Sequence, residues 1–271
     1  MTGTRPTAAA VVVYNTACSD SATCRGLEQM DYPGLKVLIY DNSTRDYGNR
    51  EYCAARNWVY LGGSGNVGIS KAYNSCISYL KQQAAEGLLC LFDDDTSVGQ
   101  AYFESLEHAA SQSDKWIFVP MITSAGRLIS PSRITARHSI RLFKNQQQAL
   151  QYQGDDLTAI NSCMAVDLRI FDGYRYDENI FLDGVDHHFL QQMSEKGHKV
   201  CVFDYRCDHQ FSGDSKPPFR AAISRFQIYA RDNAYILRND RLAYWWLVGK
   251  RALHLTLQYK SVSFLKIVFQ N

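Results

Sequence analysis

Three consecutive acids, Asp93, Asp94 and Asp95, end a run of apolar residues. An apolar run that stops at acids is typical of a buried strand with carboxylates at its carboxyl end. Because adjacent carboxylates repel one another, a cation is expected beside them, and magnesium and manganese are the metals that oxygen ligands favour. The triplet therefore predicts a divalent-metal site. In the alternative, Asp95 or Thr96 caps the following helix.

Two further stretches hold side chains that could do acid–base or metal chemistry. Asp186 falls where a helix should begin, and a carboxylate gains there from the helix N-terminus, so a capping role also explains it. Asp183 lies three residues earlier. His209 follows an apolar strand pattern, where a histidine is more often a surface or packing residue than a metal ligand.

The elements that must position these residues begin with two apolar, β-branched runs, residues 8–14 and 35–40. Such runs are typical of parallel strands covered on both faces. They stop at Asn15 and Asp41, and helical spacing over residues 18–30 connects them. This order predicts an α/β doubly wound sheet whose ligand crevice lies at the carboxyl ends of the strands.

A glycine-rich turn, residues 62–68, follows a third predicted strand at 58–61 and precedes a predicted helix at 69–83. Such a turn can hold phosphate on its backbone amides, but its pattern is neither the P-loop nor the dinucleotide fingerprint. A flexible loop explains it equally well.

The rest of the chain continues the α/β pattern with one interruption. Residues 126–156 are polar and predict a mobile loop over the site. We divide the chain into a catalytic domain, residues 1–218, and a helical extension, residues 219–271. The remaining predicted elements are strands at 115–122, 160–166 and 199–205, a helix near 100–110 and a short helix at 168–171.

Composition limits the classes of function. The chain has 271 residues, eight cysteines without a C-x-x-C spacing and a net charge of +2. This cysteine spacing predicts reduced, mostly buried thiols. We also expect a protein that works inside the cell, because neither a signal peptide nor an apolar run of about 20 residues is recognisable. The first 220 residues are net acidic, which argues against nucleic-acid binding.

The positive charge is concentrated at the end of the chain, where residues 221–271 hold eight Lys and Arg against two Asp. Trp245 and Trp246 lie among these basic residues, as suits the surface of an anionic membrane. The alternative is a packing or dimer contact, since apolar residues surround the predicted helix.

Six short motifs follow one another between residues 8 and 240, namely VVVYN at 11–15, DNST at 41–44, NVGISKAYN at 66–74, FDDD at 92–95, FLDGVD at 181–186 and HQFSG at 209–213. In order and separation they resemble the family 2 glycosyltransferases. The similar branch contains bacterial rhamnosyl-, galactofuranosyl- and galactosyltransferases of surface-polysaccharide synthesis. The resemblance implies the GT-A fold, a mainly parallel sheet flanked by helices, which agrees with the predicted sheet.

The resemblance also implies roles for individual residues. Asp186 would be the catalytic base, with Asp183 as the rival base, and where many relatives carry an acid two positions after the base this chain has His188. Asp95 and His209 would bind Mn²⁺ or Mg²⁺. The donor would be bound by Tyr14, Asn15, Asp41, Asn66, Gly68, Asn74, Asp93 and Asp94.

The resemblance implies an inverting, metal-dependent transfer of a sugar from a UDP- or dTDP-sugar to a saccharide acceptor. The acceptor would be lipid-linked, and the reaction would belong to the synthesis of O-antigen, capsule or another surface polysaccharide. We expect a cytoplasmic protein bound peripherally to the inner face of the cytoplasmic membrane, with a homo-oligomer as a further option. The alternatives are a non-catalytic nucleotide-sugar-binding module and a nucleotidyltransferase.

Overall fold

Strands and helices alternate along the first half of the chain, as the apolar runs predict. The computed structural model describes residues 6–135, 138–208 and 217–270. Its strands are β1 (Pro6–Val13), β2 (Lys36–Asp41), β3 (Val59–Gly62), β4 (Leu88–Asp93), β5 (Ile117–Ser124), β6 (Arg127–Ser130), β7 (Ser132–Ile134), β8 (Ile140–Leu142), β9 (Leu157–Thr158), β10 (Met164–Asp167) and β11 (Val200–Asp208).

The helices lie between these strands and at the end of the chain. A 3₁₀ helix covers Leu168–Asp172, where a short helix is predicted. The α-helices are α1 (Ala22–Glu28), α2 (Asn49–Ala54), α3 (Ile69–Gln82), α4 (Gln100–Ser111), α5 (Gln146–Leu150), α6 (Val185–Glu195), α7 (Phe219–Ile236), α8 (Arg241–Tyr259) and α9 (Ser263–Val268).

The main sheet has the strand order β11-β5-β10-β4-β1-β2-β3, with β6 paired to β5. The pairs β1–β2, β1–β4, β2–β3 and β5–β11 are parallel, whereas β10 runs antiparallel between β4 and β5. The sheet is thus mainly parallel and flanked by helices, which confirms the predicted fold class.

Both faces of the central strands β1 and β4 are buried, because nearly all of their residues are apolar. Along β1, Ala8 and Ala10 face one hydrophobic cluster and Ala9 and Val11 face the other, as the two-residue period of a strand requires. Helices α3 and α6 cover the first face, and α1 and α4 cover the second.

The C-terminal helices form a third hydrophobic cluster, which includes the fully buried side chains of Phe226, Tyr244 and Phe264. The prediction that this region is helical is confirmed. The division of the chain at residue 218 stays a prediction.

Residues 126–156, predicted as a mobile loop, instead carry three short strands and a helix. Strand β7 pairs with both β8 and β9 in a small antiparallel sheet. The loop prediction was wrong because strands of two to four residues are too short to produce a recognisable apolar period.

Two predicted boundaries also differ. Helix α1 begins at Ala22 because the Ser21 side chain accepts a hydrogen bond from the Cys24 amide and caps it, so the preceding residues turn instead. Strand β10 begins at Met164, four residues later than predicted.

All eight cysteines lie in the described part of the chain and are free, and seven of them are buried. The prediction of mostly buried thiols is confirmed, and their reduced state stays a prediction. Among the described residues, we find no helix with the length and apolar character needed to cross a bilayer.

Candidate active site

The candidate site lies where the carboxyl ends of β1, β2 and β4 meet. The chain moves outward from β1 through β2 to β3 and then returns to place β4 on the other side of β1. Reversal of the strand order at β1 opens a crevice beyond the strand ends, which is where ligands bind in sheets of this kind.

Tyr14 and Asn15 follow β1 and connect the strand ends. The Tyr14 amide donates to Oδ2 of Asp94 over 3.2 Å, and the Tyr14 side chain is 49% exposed. The Asn15 side-chain oxygen accepts from the amide and the hydroxyl of Thr44, at 3.0 and 2.9 Å. An exposed ring beside the crevice could contact a nucleobase, and that role stays a prediction.

Asp41, the last residue of β2, has its carboxylate held inside the protein. Its Oδ1 accepts from the Ser43 amide at 3.0 Å, and its Oδ2 accepts from the Asn49 amide group and the Tyr60 hydroxyl, both at 3.1 Å. The side chain is almost completely buried. Asp41 therefore fixes the crevice wall, and its predicted contact with a donor is untested.

The acidic triplet lies at the end of β4. Burial, followed in importance by the charges of Asp95, Asp94 and Asp186, raises the pKa of Asp93 to about 7. Burial also raises the pKa of Asp94, although the hydrogen bond from the Tyr14 amide opposes this effect. Asp95 is exposed. Negative charge is thus concentrated at this point of the crevice.

The alternative in which Asp95 or Thr96 caps the next helix is wrong. The N-cap of α4 is Gly99. The Thr96 hydroxyl lies 2.5 Å from that of Ser162, and its amide donates to the Thr23 hydroxyl at 3.0 Å. Thr96 fastens the turn after β4 to its neighbours, so helix capping does not account for the acids.

The triplet has the chemistry that a divalent cation requires. Hard carboxylate oxygens are present, and the raised pKa of Asp93 has only burial and negative neighbours as its causes. Within residues 6–135, 138–208 and 217–270, no three His, Cys, Asp or Glu side chains are grouped as metal ligands. The carboxylates of the triplet could therefore supply some, but not all, of the oxygen ligands of a divalent ion.

His209, the second predicted metal ligand, lies outside the described residues. Strand β11 ends one residue earlier, at Asp208, and the Cys207 thiol donates to the Ser97 carbonyl at 3.2 Å. Cys207, which contacts the turn that follows Asp95, thus lies two residues before His209 in the sequence.

Asp186 is the second residue of α6. The N-cap is Gly184, in the left-handed conformation at φ +80°, so the capping interpretation of Asp186 was wrong. One carboxylate oxygen, Oδ1, accepts from the amide of His187 at 2.8 Å. Since the charge of Asp186 contributes to the raised pKa of Asp93, the two carboxylates lie near each other in the crevice.

Asp183, the rival base, is paired with an arginine that sequence reasoning missed. The Arg225 guanidinium of α7 donates to both carboxylate oxygens, with Nη2 2.8 Å from Oδ1. A bidentate pair of this kind uses one lone pair on each carboxylate oxygen and fixes the orientation of the carboxylate. Which of the two carboxylates, Asp183 or Asp186, is the base stays a prediction. The pairing spans 42 residues and left no signal in the sequence.

The glycine-rich turn is shaped by two asparagines. The Asn42 side chain accepts from the Val67 amide at 2.9 Å, and the Asn66 side chain accepts from the Gly68 amide at 3.1 Å. A Cβ on Gly68, at φ +87°, would lie 2.6 Å from a ring carbon of Phe181. The close approach at Gly68 is therefore to Phe181, and its predicted donor contact is untested.

Asn74 connects α3 to the residues that lead toward Asp186. Its buried side-chain amide donates to the Tyr176 carbonyl at 2.9 Å and to the Glu178 carboxylate at 3.0 Å. Its oxygen accepts from the Tyr176 amide at 3.0 Å. The side chain is occupied within the protein, and its predicted part in the donor pocket is untested.

Comparison with solved structures identifies the fold. Residues 1–349 of TarS from S. aureus match with a TM-score of 0.53 and 13% identity, over 96% of this chain and 80% of that one. GalNAc-T7, solved with UDP, GalNAc and Mn²⁺, matches with a TM-score of 0.59 and 13% identity, over 96% and 59%. The chain has the GT-A glycosyltransferase fold.

A third GT-A structure, glucosyl-3-phosphoglycerate synthase from Mycobacterium tuberculosis, matches with a TM-score of 0.55 and 11% identity, over 84% of this chain and 78% of that one. No protein-family model and no curated protein sequence matches the chain. The resemblance in fold inferred from the six motifs is confirmed. At these identities, the GT-A likeness concerns the fold alone.

Proposed function

We propose that the protein is a metal-dependent glycosyltransferase that moves a sugar from a nucleoside diphosphate sugar to a saccharide hydroxyl. One observation carries this proposal. The acidic triplet ends β4 where the strand order of a GT-A sheet reverses, and Asp186, in the first turn of α6, is one of the charges that raise the pKa of Asp93. A candidate base and a candidate cation site thus share one crevice.

The donor would lie across the strand ends, with its diphosphate beside the triplet. Asp95 would hold a divalent ion, Mn²⁺ or Mg²⁺, and His209 would be the second protein ligand. When bound, the ion would neutralise the charge that grows on the leaving diphosphate. Support comes from the GT-A structures solved with Mn²⁺, which are GalNAc-T7 and glucosyl-3-phosphoglycerate synthase.

Asp186 would accept the proton of the acceptor hydroxyl at its carboxylate as that oxygen attacks the anomeric carbon. Helix α6 fixes the position of the carboxylate, and Arg225 engages Asp183 instead. A single base is sufficient for direct displacement with inversion, because no covalent intermediate forms.

The finer assignment follows the six motifs: a family 2 enzyme that uses a UDP- or dTDP-sugar for O-antigen, capsule or other surface-polysaccharide synthesis on a saccharide or lipid-linked acceptor. GalNAc-T7 was solved with UDP and the mannosyltransferase PcManGT from Pyrobaculum calidifontis with GDP-mannose, which supports a nucleoside diphosphate sugar as the donor.

We further propose that α8 rests on the inner face of the cytoplasmic membrane. Leu242, Leu253 and Leu257 are 83%, 53% and 71% exposed on this helix. Lys250 and Arg251 lie beside them in sequence. Exposed leucines flanked by basic residues suit an anionic lipid surface. Contact between two copies of the chain is the competing use of this face.

The first test is thermal stability with nucleoside diphosphates and nucleotide sugars, in Mn²⁺ or Mg²⁺ and then with a chelator. A ligand that binds the folded state raises the Tm by mass action. We expect a metal-dependent rise with one uridine or deoxythymidine sugar. Absence of a rise with any nucleotide would contradict the donor assignment.

The second test separates the two candidate bases. We expect Asp186→Asn to keep donor affinity and lose transfer by at least a thousandfold, because the proton has no acceptor. Asp183→Asn is the matched variant, and it should retain more activity. If Asp186→Asn turned over as fast as the wild type, the base assignment would be overturned. If the wild-type protein bound the donor but transferred no sugar, a binding module would be favoured.

A further inference from the structure

The residues that lead to Asp186 form a segment, here called the base segment (residues 176–184), that lies between two helices. It follows the 3₁₀ helix and ends at Gly184, the N-cap of α6. The position of Asp186 therefore depends on how this segment is held.

Helix α3 holds the carbonyl groups of the base segment. The Ile69 amide donates to the Phe181 carbonyl at 2.7 Å, and the Ser70 hydroxyl donates to the Ile180 carbonyl at 2.6 Å. Both bonds come from the first turn of the helix, whose amides have no partner within the helix itself.

Helix α7 holds the amides of the base segment through a single carboxylate. Oδ2 of Asp232 accepts from the Leu182 amide at 2.8 Å and from the Asp183 amide at 3.0 Å. Its Oδ1 contacts the Arg231 guanidinium at 3.1 Å. Asp232 is completely buried.

Other residues on the same side of α7 contact the base segment. Arg225 pairs with Asp183, and the Tyr235 hydroxyl donates to the Asp177 carboxylate at 2.8 Å. A Cβ on Gly184 would lie 2.9 Å from Cδ1 of Ile236, so the helix and the N-cap of α6 are in close contact.

General packing does not explain Asp232. A buried carboxylate is costly unless hydrogen bonds satisfy both oxygens, and an apolar residue would fill the same space without that cost. Its oxygen is instead shared by two consecutive amides, which fixes the direction of the backbone three to four residues before Asp186. A charged hydrogen bond is strong and strict in its geometry.

We propose that Asp232 is a positioning residue that fixes the base segment and, through it, the carboxylate of Asp186. The proposal rests on the proposed function insofar as Asp186 is the base. The structural part of it, that Asp232 sets the conformation of residues 182 and 183, is independent of any activity.

Hydrogen exchange of the full-length protein tests the structural part. In Asp232→Ala, we expect the amides of Leu182 and Asp183 to exchange at least tenfold faster, with the amides of α3 after its first turn unchanged. Asp240→Ala is the matched control, because Asp240 caps α8 by accepting from the Ala243 amide and does not hold the base segment. It should leave residues 182 and 183 protected.

Kinetics test the catalytic part. We expect Asp232→Ala to lower kcat at least tenfold with an unchanged KM for the donor, because donor contacts lie on other elements. Asp232→Asn keeps one acceptor oxygen and should recover part of both the protection and kcat. If Asp232→Ala does not fold, Asp232→Asn is compared with the wild type in the same two assays, with smaller losses expected.

Amides at residues 182 and 183 that stay as protected in Asp232→Ala as in the wild type would overturn the proposal, as would faster exchange in this variant with wild-type kcat. If Asp232→Ala does not fold, the same two outcomes are judged on Asp232→Asn. If Asp240→Ala lowered the activity as much as Asp232→Ala does, a general loss of stability would explain both losses. This outcome would also count against a positioning role for Asp232. If the wild type transfers no sugar, the function proposal fails, whereas the exchange data still decide whether Asp232 holds the base segment.

Discussion

Asp93 is a carboxyl group whose environment opposes its ionisation. Its pKa of about 7 in the folded protein exceeds the ordinary value of 3.8. The folded state therefore binds the proton more tightly than the unfolded chain does. Without metal, stability is lost as the pH rises from about 4 through about 7, and little is lost below pH 4.

We therefore expect Asp93→Asn to be more stable than the wild type at pH 8 by about 2 kcal/mol and nearly equal to it at pH 4. Urea unfolding with a chelator at both pH values measures this difference. The exposed Asp114→Asn serves as the control and should change stability by less than about 0.5 kcal/mol. An equal effect of Asp93→Asn at both pH values would contradict the assignment.

Two buried tyrosines give a matched pair of stability predictions. Among the described residues, the Tyr73 hydroxyl has no hydrogen-bond partner, whereas the Tyr102 hydroxyl donates to the Cys163 carbonyl at 2.9 Å. Tyr73→Phe should be neutral or stabilising, and Tyr102→Phe should cost about 1 kcal/mol. Denaturant midpoints measure both. A larger loss in Tyr73→Phe would mean that its hydroxyl has a partner in solution.

At the scale of elements, the contact between the glycine-rich turn and the base segment can be tested at Gly68. Gly68→Ala would place a methyl group 2.6 Å from Phe181 at a positive φ. We expect a loss of about 3 kcal/mol or more. Gly65→Ala has a similar φ and open space around it, so strain alone should cost about 1 kcal/mol. Thermal unfolding compares them, and equal losses would contradict the contact.

The elements that sequence reasoning predicted correctly are those with a clear period. The apolar runs of β1, β2 and β4 and the amphipathic spacing of α3 and α4 follow directly from burial on one or two faces. The antiparallel direction of β10 was not predictable, because an apolar run is the same read in either direction. A strand of two residues, such as β9, is too short for any repeat of apolar and polar residues to be recognised in the sequence.

The candidate site was predicted only where its residues are adjacent in the sequence. The acids at the end of β4 are visible because they interrupt an apolar run. The contacts of Asp232 with Leu182 and Asp183 join residues 50 and 49 positions apart. Such contacts depend on how α7 packs, and no local pattern of residue types encodes that packing.

For the whole molecule, the charge is divided unevenly. The residues after 220 carry six more positive than negative charges, while the rest of the chain is net negative. An anionic membrane would attract the end of the chain and repel its body, which would favour one orientation of the protein at the surface.

We expect the double variant Leu253→Glu with Leu257→Glu to reduce binding to anionic phosphatidylglycerol vesicles at least tenfold. The variant removes apolar area that the membrane would bury and adds negative charge that the anionic lipids repel. Vesicle sedimentation measures this. Ile140→Glu is the control, since Ile140 is similarly exposed on β8, at 42%. A change in oligomeric state with unchanged vesicle binding would assign the face to contact between copies.

The two-sided packing of α7 has a consequence for how chains with this arrangement diverge. One side of the helix contacts the base segment, while Phe226 and Ala230 belong to the cluster with α8 and α9. A recombination event that replaced everything after residue 218 would separate Asp232 from the amides it binds. Relatives should therefore tolerate an exchange of C-terminal regions whose junction lies at the α7–α8 connection. An exchange whose junction lies before α7 should be selected against.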